Sequence, residues 1–258
     1  MIRLGIVPYL NVLPLLEGLD ATFPAHQWLR ATPRQLGEAL QRRDLDIAIV
    51  STFEGLRCGY QLLPGAMIGA NGPVRSVALY SKVPLHQIRH ILLDRASLSS
   101  VALVRILAND LLQIDPVYET SPEPFTPEFC WQDNKHDALV VIGDTALAWE
   151  HTFPYTLDLG EGWKRLTGLP FVFAGWYARP GVQLSPTEIA AFATARAQGT
   201  NAINTIVARI DPKSLTPIGG PESLRHYLSQ AIHYDLTPAA LEGLKEFERR
   251  LKEKGLLG

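Results

Sequence analysis

Gly5-Ile6-Val7-Pro8-Tyr9-Leu10-Asn11-Val12-Leu13-Pro14-Leu15-Leu16 reads as a buried first strand, the turn at its carboxyl end, and the first helix. Asn11 sits at that turn. In open α/β sheets, ligands bind in the crevice beyond the carboxyl ends of the strands, where a following helix points its free N–H groups. Asn11 therefore has two readings: a side chain facing a substrate, or a helix cap, a role in which Asn is among the preferred residues.

Working outward, His26 to Arg30 reads as a short strand, Arg34 to Arg43 as a helix opened by Pro33, and Asp46 to Val50 as a continuous buried strand. The order β-α-β-α-β implies a parallel sheet with right-handed crossovers, helices covering both faces. Ser51-Thr52-Phe53-Glu54 follows at the next strand-to-helix junction. Ser51 and Glu54 have capping-box spacing, which is a structural role; Thr52, a hydroxyl beside free helix N–H groups, suits a bound carboxylate. A third junction follows the strand Ile88 to Leu93: Ser97, Ser99 and Ser100 precede or open a helix over Val101 to Leu112. One cap needs one side chain, so the excess of hydroxyls points to an anion site.

Strands are expected at Ala66 to Ala70 and Ser76 to Ser81, separated by the turn signal Asn71-Gly72-Pro73. Asp115 to Asp137 is Pro-rich and irregular apart from a short strand near Pro116 to Glu119. Ala138 to Ile142 reads as a strand leading into a helix at Gly143-Asp144, Tyr155 to Leu159 as a strand, Glu161 to Thr167 as a helix, and Phe171 to Ala178 as a long strand. Helices over Pro186 to Ala208, Pro221 to Ala231 and Pro238 to Lys254 complete the chain. If the strands at 76–81 and 171–178 cross between lobes, residues 83–170 form a second lobe inserted into a first built from 1–82 and 171–258. The expectation is a two-lobed α/β fold, mixed sheets flanked by helices, with a ligand cleft between the lobes.

Composition narrows the function. With 258 residues, 47% of them hydrophobic, the chain can bury large cores, and a formal net charge of −2 gives no reason to expect a nucleic acid partner. The start at Met1 runs straight into a strand with no signal core, no stretch is long enough to span a membrane, and the two cysteines, Cys58 and Cys130, form no C-x-x-C pair. A cytoplasmic protein is expected. His86 and His90 have H-x-x-x-H spacing but lead into a strand, and Asp133, His136 and Asp137 lie in the irregular stretch, so no metal is expected. No nucleophile elbow, P-loop or dinucleotide fingerprint occurs. The aromatic set Trp163, Phe171, Phe173 and Trp176 reads as core with one ring at the cleft.

Five segments taken together, V-P-Y-L-N-V-L-P-L from Val7, S-T-F-E at 51–54, G-P-V-R-S-V at 72–77, L-D-R-A-S-L-S-S-V at 93–101 and D-L-G-E-G-W-K-R-L-T-G-L-P-F-V-F-A at 158–174, resemble the chorismate dehydratase family of the futalosine route to menaquinone. The resemblance implies a type II periplasmic-binding-protein fold and the elimination of water from chorismate to give 3-[(1-carboxyvinyl)oxy]benzoate, without metal or redox cofactor. It implies Asn11 and Ser76 as the polar groups at the reacting centre. Tyr9, Ser51, Thr52, Ser97, Ser99, Ser100, Val101, Gly143 and Asp144 would form the substrate-binding shell. Ser99 and Thr52 replace a hydroxyl residue of the family pattern by the other hydroxyl residue. Two rivals share the fold: a non-enzymatic solute-binding protein, for which a leader segment is expected, and the later menaquinone-pathway enzyme acting on cyclic dehypoxanthine futalosine, whose first loop resembles P-C-P-N-D-T instead.

Overall fold

The computed structural model describes residues 2–94, 98–121, 135–150 and 152–257. Two five-stranded mixed sheets carry the fold. The first has β1 (Leu4–Ile6), β2 (Trp28–Arg30), β3 (Ile47–Ser51), β4 (Gln61–Ala70) and β10 (Phe171–Ala178) in the order β2-β1-β3-β10-β4; the second has β5 (Val77–Ser81), β6 (His90–Leu93), β7 (Val117–Thr120), β8 (Ala138–Ile142) and β9 (Tyr155–Asp158) in the order β7-β6-β8-β5-β9. Each sheet has three parallel strands, then an antiparallel strand by which the chain enters from the other half. These entering strands are β5 and β10. The crossing thus falls before Val77, in residues 71–76, and not after residue 82 as expected: Val77–Ser81 is hydrogen-bonded between β8 and β9 inside the second sheet.

Helices cover the sheets where the sequence carries their start signals. α1 (Pro33–Gln41) opens on a Thr32/Gln35 capping box with Pro33 in its first turn, and α2 (Thr52–Arg57) opens on Ser51. α3 (Leu98–Asp110), α4 (Gly143–Ala148) and α5 (Leu159–Thr167) serve the second sheet; α6 (Pro186–Asn201), α7 (Ile203–Ala208), α8 (Gly220–His226) and α9 (Pro238–Glu253) follow β10. The expected single helix over 186–208 breaks at Ala202, where Thr200 has turned its hydroxyl back onto the carbonyls of Arg196 and Ala197. Likewise the expected helix after β1 is a 3-10 turn, Leu10–Leu15, since Pro14 offers no N–H to an α-helical ladder. That turn lies close against α6. A Cβ at Gly199 would sit 1.8 Å from the Pro14 carbonyl oxygen, so only glycine allows the approach.

Of the residues set aside in sequence, Trp163, Phe171 and Trp176 are core, and Asp137 accepts the backbone N–H groups of Arg89 and His90. Asp133 and Cys130 lie outside the described residues. Among the described residues no group of His, Cys, Asp and Glu could hold a metal ion, and no helix is long and apolar enough to cross a membrane.

At the end of the first sheet away from the ligand crevice, Asp46 joins three neighbouring strands. It accepts from Arg3 Nε at 3.0 Å and from Arg179 Nη2 at 2.6 Å, with side-chain exposure of only 8%. Burial alone would raise this carboxyl, but the hydrogen bonds from Arg3 and Arg179 outweigh it and hold the pKa at about 2. A depressed carboxylate contributes stability that is present above its ordinary pKa near 4 and lost as pH falls through about 2. The thermal midpoint should therefore drop more steeply between pH 4 and pH 2 in the wild type than in Asp46→Asn, by the equivalent of about 1 kcal/mol after solvent screening. Parallel acid limbs in the two proteins would refute the clasp.

Candidate active site

The carboxyl ends of β1 and β3 meet the start of β5 and the end of β8 around an inner chamber of about 80 Å³. Its polar lining comes from Tyr9, Asn11, Ser51, Ser76, Ser100 and Gly143, and the rest is apolar, Ile49, Ile68, Ile142 and Phe173 among them. Phe173 is thus the cleft ring of the aromatic set. The chamber shares Pro33 and Ser51 with an outer cleft of about 590 Å³, whose charged residues include Arg34, Glu38, Glu54, Arg57 and Asp94.

Asn11 resolves one of the alternatives left by the sequence. The residue flanking the 3-10 turn is Tyr9, with no side-chain cap, and Asn11 lies inside the turn with its Oδ1 buried and without a hydrogen-bond partner among the described residues. It is not the cap. A buried acceptor left unpaired costs about 1–3 kcal/mol, which marks this amide as built for something other than stability.

Ser76 is held by its neighbours on both sides. Arg75 takes a left-handed φ of 63°, unusual for a residue with a Cβ, and is gripped at backbone and side chain: its N–H donates to Asp158 at 2.6 Å, its guanidinium to Glu150 at 2.7 Å and to Ser223 Oγ at 3.1 Å. Ser76 then donates its N–H to the Val74 carbonyl and accepts the Gly143 N–H, both at 2.7 Å. Gly143 itself has φ +66°, which any side chain would strain, and it lies against the Tyr9 ring from the other sheet.

One hydrogen bond draws the helix starts of the two sheets together: the Phe53 N–H of α2 donates to Ser99 Oγ of α3 at 3.0 Å. Ser99 therefore acts as a clasp across the cleft, and the Asp144 carboxylate at the start of α4 faces the Leu10 N–H. Ser51 caps α2 through the Glu54 N–H at 3.2 Å, half of the expected capping box; the Glu54 carboxylate instead takes Arg57 and Gln41. Thr52 is not brought to either chamber: it is fully buried, its hydroxyl facing that of Tyr177 in β10, with no ordinary hydrogen bond made. Ser100 lines the inner chamber and Val101 the outer cleft, while Ser97 lies outside the described residues.

No charged side chain is among the described residues lining the inner chamber. Its one titratable group is Tyr9, whose hydroxyl is pushed up to about 12 by burial and by the charges of Asp94 and Asp144. Burial also raises the Asp144 carboxyl, against the pull of the Leu10 N–H. A chamber of this kind can orient and hydrogen-bond a ligand but supplies no base at neutral pH.

Sequence reasoning had no access to Tyr227, which stands behind this wall. Its hydroxyl faces the side chains of Ser76 and Asn11. It lies on a segment far along the chain that shares no motif with either.

A sequence family described as menaquinone biosynthesis matches residues 2–253. The chain belongs to that family. A chorismate dehydratase of Thermus thermophilus is 28% identical over 272 residues, covering 96% of this chain and 94% of that protein. A chorismate dehydratase of Campylobacter jejuni is 25% identical, covering 96% and 92%. Among solved structures, the periplasmic aliphatic sulphonate binding protein SsuA from Escherichia coli superposes with a TM-score of 0.62 at 16% identity, covering 99% of this chain and 93% of that one. The likeness shows the periplasmic-binding-protein fold for this member of the menaquinone biosynthesis family.

If Ser99 clasps the cleft, Ser99→Ala removes the only acceptor the Phe53 N–H has in that bond. Amide hydrogen exchange at Phe53 should then rise about tenfold, the value of one lost hydrogen bond, while amides of β3 stay protected. Unchanged exchange at Phe53 would show that α2 is held by other means.

Proposed function

We propose that the protein is a chorismate dehydratase: a cofactor-independent carbon–oxygen lyase that converts chorismate to 3-[(1-carboxyvinyl)oxy]benzoate and water, acting in the cytoplasm. The observation that carries this reading is the juxtaposition of Asn11 and Ser76 in a chamber without a chain-borne base, in a chain whose similarity to named chorismate dehydratases runs over nearly its full length.

The reaction suits such a chamber. Chorismate loses the hydroxyl of its ring and the proton of the neighbouring carbon that bears the enolpyruvyl ether; the C–H electron pair becomes part of the new aromatic ring as the C–O bond breaks, and proton and hydroxide leave as water. The ring carboxylate acidifies that proton through the conjugated double bond, and aromatisation favours the elimination. Orientation and hydrogen bonding are what the protein has to add. In this reading Asn11 orients the departing hydroxyl, Ser76 hydrogen-bonds at the same centre, and a carboxylate of the substrate takes the proton. Ser51, Ser100, the helix N–H groups around them and the Tyr9 hydroxyl receive the dianion.

Purified protein incubated with chorismate and no added cofactor should yield the carboxyvinyloxy-benzoate, followed by chromatography and mass. Chorismate that stays unchanged while bound would favour the solute-binding alternative, to which the SsuA-like fold is equally suited. Asn11→Ala should lower kcat by about tenfold or more, with a thermal midpoint within a few degrees of wild type. Equal losses of activity and stability would assign Asn11 a structural role.

The pH dependence has a definite sign. Because Tyr9 holds its proton up to about 12, kcat should be flat from about pH 6 to pH 9. It should fall only at acid pH, as the substrate carboxylates protonate in the ordinary range near 4. An inflection near neutrality would reveal a base belonging to the chain and overturn the substrate-carboxylate step.

A further inference from the structure

α8 (Gly220–His226) runs into a single π-helical turn, Tyr227–Ala231, near the end of the chain. π turns of this kind recur at functional sites, where the extra residue re-aims a side chain. Ser223 and Tyr227 are four positions apart, so they share one helix face, and both address the crossing segment. Ser223 Oγ takes the Arg75 guanidinium at 3.1 Å, while the Tyr227 hydroxyl faces the side chains of Ser76 and Asn11. Tyr227 is 1% exposed, and neither its hydroxyl nor Asn11 Oδ1 makes a hydrogen bond of ordinary length among the described residues. A phenylalanine would fill the same space without the penalty of burying a hydroxyl, so packing alone does not account for the oxygen.

We infer that Tyr227 is a positioning residue: its hydroxyl bridges Ser76 and Asn11 from behind the inner chamber and grips one edge of the Asn11 amide, so that the other edge is presented to the ligand. The phenol is both donor and acceptor, and can serve a serine hydroxyl and an amide together. Burial pushes its pKa far up, so it keeps its proton throughout the working range. For what the amide meets, the departing hydroxyl, the inference rests on the dehydratase reading; for how the amide is held, it does not.

The test uses Tyr227→Phe, which keeps the ring and its packing. With chorismate, kcat should fall about tenfold or more while KM stays within about threefold, since the orientation of the reacting centre is lost and the carboxylate contacts are kept. Acting through Asn11, the change should add nothing in Asn11→Ala/Tyr227→Phe, which should turn over no more slowly than Asn11→Ala alone. The control is Tyr234→Phe, which removes another buried and unpartnered hydroxyl close to Tyr227 and should leave kcat near wild type. A kcat within about twofold of wild type in Tyr227→Phe, or losses that multiply in the double variant, would overturn the inference. A second readout needs no substrate: in 15N-labelled protein the Asn11 side-chain amide resonances should move in Tyr227→Phe and hold in Tyr234→Phe. Unmoved resonances would overturn the inference by themselves, and a wild type inert toward chorismate with moved resonances would overturn only the dehydratase reading.

Discussion

The carboxylate of Asp158 gathers four backbone N–H groups from two distant segments: those of Val74 and Arg75 in the crossing segment, and those of Gly160 and Glu161 at the start of α5. Bringing this charge out of water raises its pKa, against the pull of those N–H groups. Much else in the molecule follows from that one arrangement. It caps α5, it ties the entry of β5 to the end of β9, and it turns the chain sharply enough that Arg75 is left with a positive φ. Ser76 comes out of that turn facing the chamber, and Val77 continues as the antiparallel strand between β8 and β9 of the second sheet. The crossing between the halves and the placement of a chamber-lining residue are therefore the same few atoms.

Much of the fold was legible because strands and helices alternate up to Val50, and Ser51 with the opening prolines Pro33, Pro186 and Pro238 marks helix starts where the structure has them. The misreadings share a physical origin. A strand looks the same in sequence whichever sheet pairs with it, so Val77–Ser81 could not be assigned to the second sheet from its own residues. Thr52 and Ser99 have the right chemistry for a carboxylate, but which way a hydroxyl at a helix start faces depends on what packs against it: Tyr177 for one and the Phe53 N–H for the other. Tyr227 carried no local signal at all. Its place is set by the return of the chain after β10, which no motif records.

The charge pattern of the cleft is consistent with a ligand held by neutral donors. The inner chamber offers hydroxyls and helix N–H groups, and the arginines stand in the outer cleft already paired: Arg34 with Glu38, and Arg57 with Glu54. Neutral donors fixed by folded backbone need no reorganisation when an anion arrives, whereas a free lysine or arginine must be ordered first. The bond from the Phe53 N–H to Ser99 holds the starts of α2 and α3 together beside the same chamber.

A binding protein and an enzyme on this fold differ in where they leave local rules unsatisfied. A binder is complementary to the ground state of its ligand, and gains nothing from polar groups that the bound ligand does not pair. Here an Asn11 Oδ1 without an ordinary hydrogen bond, a left-handed Arg75, a glycine-only turn at Gly143 and a π-helical Tyr227 converge on one chamber from four separate parts of the chain. The unpaired oxygen and the left-handed Arg75 are each unfavourable by an amount on the order of 1–3 kcal/mol. Such departures persist when surrounding structure over-determines them, as the grips on Arg75 do, and their convergence marks the site where stability is subordinate to function. Convergence on Asn11 and Ser76, the two groups that meet the departing hydroxyl in the dehydratase reading, favours an interaction that strengthens as the C–O bond breaks over one already complete in the bound ground state.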